Sequence, residues 1–177
     1  MAKKPTKVQV KLQHPQHYAL FSLMANRYFL QLEDGFTVAH FGLLDSKNVL
    51  LDYFHCILPD HSLDAQKENL VQYSEQVGLA KKKIPAWTPP ASSETTGTNQ
   101  LTVPVVDFIH LTHWEDAHAE ICFWNYSRAN LADMTVGQKE VTVPTWGVAL
   151  IRCKIDLQRS FLAALYDTEN ASGKSND

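Results

Sequence analysis

Residues 119–126 read Ala-Glu-Ile-Cys-Phe-Trp-Asn-Tyr, and as a strand they are apolar on both faces. Ile121 and Phe123 point one way, while Cys122, Trp124 and Tyr126 point the other. Residues 49–58 (VLLDYFHCIL) repeat the pattern, with Leu51, Tyr53 and Ile57 against Leu50, Phe54, Cys56 and Leu58. An antiparallel sheet with one wet face alternates apolar and polar residues, so neither stretch fits one. The second face of each must be covered by the rest of the chain, by another chain or by a ligand.

The order of signals around these stretches is similar. In the first half, residues 28–33 alternate and meet Asp34-Gly35, a hairpin turn signal. Residues 36–44 form a second strand, Asp45-Ser46-Lys47-Asn48 a second turn, and residues 49–58 a third strand. Residues 63–77 then form a helix with Leu63, Leu70 and Val77 on one face, capped by Asp60 or Ser62 and ended by Gly78. In the second half, residues 103–111 and 119–126 are strands. Residues 141–155, through Pro144, form a strand or strand pair. Asp156 caps a helix over residues 157–166, whose stripe is Leu157, Phe161, Leu162 and Leu165. The expected fold is α+β, with antiparallel sheets, built from two β-hairpin-plus-helix (β-β-β-α) units that a tandem duplication would explain. Ahead of them, residues 6–13 alternate as a half-buried strand. Residues 16–25 read as a short helix behind Pro15, apolar nearly all round and therefore buried.

The boundaries follow from breakers. Residues 1–80 make a first unit with a basic N-terminal arm. Residues 81–102, with three lysines, three prolines and a Ser/Thr run, make a linker. Residues 103–168 make the second unit, and residues 169–177 a disordered tail.

Composition narrows the function classes. The net charge of −3 over 177 residues argues against a dedicated nucleic-acid binder. The arm carries Lys3, Lys4, Lys7 and Lys11 without an acidic residue, so a nucleic-acid accessory role is the less favoured alternative. Cys56, Cys122 and Cys153 form no CxxC pair, and no apolar run is long enough to span a bilayer. A cytoplasmic protein with reduced thiols and no membrane role is expected. There is no glycine-rich phosphate loop and no nucleophile elbow. His110, His113 and His118, with Glu115 and Asp116 between them, are the best metal-ligand candidates, although their spacing matches no strong motif. A divalent metal is therefore the alternative to having no cofactor. The favoured reading is non-enzymatic. It is an assembly or adaptor subunit that meets itself or a protein partner through apolar sheet faces, anchored by Phe54, Trp124, Tyr126 and Trp146.

Overall fold

The computed structural model describes residues 9–13, 21–90, 103–114, 117–126 and 140–172. The fold is α+β. Its elements are β1 (Gln9–Gln13), β2 (Phe21–Ala25), β3 (Arg27–Glu33), β4 (Phe36–Leu44), β5 (Leu50–Pro59), α1 (Asp60–Val77), β6 (Phe108–Trp114), β7 (His118–Tyr126), β8 (Glu140–Lys154) and α2 (Ile155–Ser172).

β3, β4 and β5 form a three-stranded antiparallel meander. Its first turn is Asp34-Gly35, where Gly35 takes a φ of 83° that costs a residue without Cβ little. At its second turn, Asp45 Oδ1 accepts the backbone N–H groups of Lys47 and Val49, both at 2.8 Å. β6, β7 and β8 form a second antiparallel meander. The element order β-β-β-α therefore occurs on each side of residues 81–102.

The larger sheet is mixed rather than antiparallel, because β1 and β2 both run parallel to β8. β2 corrects the helix expected over residues 16–25, of which 16–20 lie outside the described residues. Phe21, Leu23 and Ala25 pair with Ala149, Ile151 and Cys153; Leu23 and Ala25 are buried, while Ser22 and Met24 face out. Tertiary pairing with a long strand overrides a segment whose own pattern is ambiguous. β8 is one continuous strand. Pro144 stands at the end of the β1 ladder, opposite Gln13, and among the described residues it lies one position beyond the last pair with β7, Tyr126↔Thr145.

The strand expected over residues 103–111 is shifted. Residues 104–106 bridge to the edge of β5, where Ile57 N donates to Pro104 O and Val106 N to Ile57 O, both at 2.9 Å. β6 starts only after the chain bends at Asp107. α1 begins behind Pro59 with no side-chain cap, and Ser62 is buried inside its first turn. Gly78 ends it as expected, its N–H reaching Ser74 O at 2.9 Å.

One core joins the two halves. Phe41 from β4 and Phe54 from β5 pack on Phe123 from β7, with ring centres 5.6 and 6.0 Å apart. Phe161 from α2 meets Phe41 at 5.2 Å and Tyr28 from β3 edge-on at 5.9 Å. Leu63 and Leu70 of α1 and Leu157, Leu162 and Leu165 of α2 belong to the same cluster. The buried sides of both helices are thus spent on the space between the inner sheet faces.

Part of the stretch read as a linker is fixed to this body. Lys81 N donates to Asp156 Oδ1 at 2.7 Å, and Ile84 packs against the core. Trp87 lies on Gly42 of β4, its ring atoms 2.9 Å from where a Cβ would stand.

Candidate functional site

The four residues expected to form an interface do not share a surface. Trp124 and Tyr126 alternate onto the outer face of the larger sheet, where Trp124 stacks on Phe108 at 6.2 Å and is buried. A β-bulge between Phe123 and Trp124 shifts the register with β8. Trp146 therefore stands opposite Asn125, out of step with Trp124 and Tyr126, and is 46% exposed. Phe54 is in the core, stacked on Phe21 at 5.3 Å. Tyr126 also lines a half-open cleft of about 290 Å³ between α1 and the ends of β6 and β7. Gln66 bridges that cleft, accepting Ile109 N–H at 2.6 Å and donating to Asp107 O at 3.1 Å.

The expected metal ligands are also separated. His110 pairs with Cys122 and Trp114 with His118, so three residue pairs of the ladder lie between the two positions. His113 alternates to the inner side, where its Nδ1 meets Tyr73 Oη at 2.9 Å. Among the described residues, no group of three or more His, Cys, Asp or Glu side chains is placed to hold a metal ion. Glu115 and Asp116 lie outside the described residues, as do Lys3, Lys4 and Lys7. Lys11 falls on β1. Burial pushes the Cys122 and Cys153 thiols up to about 12, and Cys56 is raised further still, so all three are protonated at neutral pH.

The outer face of the three-stranded sheet brings together a different set. Register places Phe29 opposite His40, His40 opposite His55, and Gly42 opposite Tyr53. The His40 and His55 rings lie 5.6 Å apart and 15° from parallel. Tyr53 lies 5.2 Å from His55, and its hydroxyl meets His40 Nδ1 at 2.6 Å. Phe29 flanks His40 at 5.8 Å, and Trp87 meets Tyr53 edge-on at 6.1 Å. His40 is only 7% exposed, while Phe29, Tyr53, His55 and Trp87 are half-buried.

Comparison of the chain with protein-family models, with curated proteins and with solved structures finds no match. The site is therefore argued from its own chemistry.

Burial holds the His40 imidazole down at about 4, with the neighbouring His55 adding to the effect, and burial lowers His55 as well. Both rings are neutral at pH 7, and burial pushes the Tyr53 phenol up to about 12. Protonating a group whose folded pKa lies below its unfolded value favours the unfolded chain. The stability due to neutral His40 is thus complete above about pH 6.5 and is lost as pH falls toward 4, to the extent of roughly 2–3 kcal/mol. Urea denaturation of chelator-treated protein between pH 7 and 4 checks this. A His40→Gln variant should show a flatter fall; an equal slope in the two proteins would contradict the assignment.

Proposed function

We propose that this protein is a non-enzymatic assembly subunit that self-associates through the outer face of its three-stranded sheet. The observation that carries the reading is the row Phe29, His40, His55, Tyr53 and Trp87 on the face opposite the one where Ala39, Phe41 and Phe54 share a core with the leucines of both helices. Aromatic side chains supply large contact areas at low entropy cost, and they are frequent interface anchors. Leu51, 62% exposed at the start of β5, and Val105, 44% exposed beside Ile57, extend the apolar rim.

The choice of a second copy rests on charge. The row of rings carries no formal charge at pH 7, so nothing in it selects an acidic or basic partner. An uncharged aromatic strip can meet its own copy across a twofold axis without opposing like charges.

Sedimentation equilibrium of a double variant, Leu51→Lys with Trp87→Ser, tests the location. The dissociation constant should rise by about tenfold or more, since one new charge and one lost anchor on each chain oppose the contact. Met24→Lys, which charges a 53% exposed position on the other sheet, should leave it unchanged. An effect of Met24→Lys alone would move the interface to the larger sheet and end this reading.

A further inference from the structure

We propose that His40 and His55 form a binding site for a divalent transition-metal ion of the zinc class. The argument is geometric and does not depend on self-association. The two residues are direct cross-strand partners on β4 and β5, which places their side chains side by side on one face. The ring centres lie 5.6 Å apart, a spacing that a shared ion at the ~2.1 Å imidazole–zinc bond length can span once the half-buried His55 ring turns toward His40.

His40 is already held as a ligand would be. Its Nδ1 is engaged with Tyr53 Oη at 2.6 Å. When Nδ1 carries the proton and donates it to the phenol oxygen, Nε2 presents its lone pair. A partner on the second ring nitrogen is the usual device that fixes the tautomer and orientation of a metal-binding histidine. Among the described residues, His40 Nε2 is buried and meets no hydrogen-bond partner. A buried nitrogen in that condition calls for a water or an ion.

His55 and Tyr53 are half-buried, so the cluster opens to solvent on their side. The neutral form of both imidazoles at pH 7 is the form that ligates. Nitrogen donors favour zinc, copper or nickel over magnesium or calcium. Two protein ligands leave the remaining positions to water or an outside donor, so the ion is exchangeable rather than locked in a closed structural site.

The test is a titration of the tag-free full chain with Zn²⁺ in competition with a chromophoric chelator. About one competing ion per chain is expected. His55→Ala should weaken its binding by roughly tenfold or more. Because His55 is half-buried, this variant should keep the native circular dichroism spectrum, and His40→Gln provides a second route to the same loss. The triple variant His110→Ala, His113→Ala, His118→Ala should bind as the native chain does. No competing ion, unchanged affinity in both His55→Ala and His40→Gln, or loss of binding only in the triple variant would each overturn the proposal. Self-association that persists in excess chelator while no zinc binds would remove the metal site and leave the assembly reading standing.

Discussion

Phe123→Ala should destabilise the protein by about 3–5 kcal/mol, the range for removing a fully buried aromatic ring. Phe123 is 0% exposed and touches both Phe41 and Phe54. It is thus the point at which the two β-β-β-α units meet. The ring fills space between two sheets that other elements hold apart, so the surroundings can collapse into the void only in part. Because the halves share this core, unfolding should remain one transition, followed identically by tryptophan fluorescence and by far-ultraviolet circular dichroism. Urea titration of the native and variant proteins measures both quantities. A cost below about 1 kcal/mol, or two separated transitions in the native chain, would show that the halves are energetically independent.

The second large effect is polar. Gln158 on α2 is 0% exposed, and its amide is fully used. Nε2 donates to Thr112 O at 3.0 Å and to Glu120 O at 2.8 Å, while Oε1 accepts the Tyr73 hydroxyl at 3.1 Å. One side chain therefore ties α2 to both strands of the β6–β7 hairpin and to α1. Gln158→Leu keeps much of the volume but strips two buried carbonyls of a donor. At about 1–3 kcal/mol for each group left unsatisfied, the loss should be roughly 2–6 kcal/mol. Gln158→Glu should be at least as damaging, because it sets a carboxylate against the same two carbonyls. Thermal melts of the two variants check this. A native-like Gln158→Leu protein would mean that water replaces the amide.

The parts of this fold that were legible in the sequence are the local ones. Asp34-Gly35 and Asp45–Asn48 mark their turns through φ preference and side-chain capping, and the Leu63, Leu70, Val77 spacing marks the buried stripe of α1. What was not legible depends on distant partners. β2 is a strand because β8, more than a hundred residues later, offers it a parallel edge. No local pattern encodes that edge, and an all-round apolar run suits a helix equally well.

The candidate site escaped for a sharper reason. Counting back from the turn pair Leu44↔Leu50 sets His40 against Phe54. A bulge between Leu43 and Leu44 moves the register by one and sets His40 against His55 instead. A one-residue slip reverses every facing in a strand, so the histidine pair was hidden by an irregularity that sequence spacing does not reveal. The bulge at Phe123/Trp124 misdirects the expected Trp124–Trp146 grouping in the same way. The close sequence spacing of His110, His113 and His118 does not become a spatial cluster, because plain alternation sends His113 to the face opposite His110.

The most direct test of the assembly reading is the solution mass of the native protein, measured by light scattering on a size-exclusion column over a wide range of loading concentrations. The account predicts a species of twice the 20.0 kDa chain mass that gives way to the single chain on dilution. A mass that stays at 20.0 kDa at every concentration would contradict it, and would leave the aromatic face of the three-stranded sheet to a ligand or a different partner.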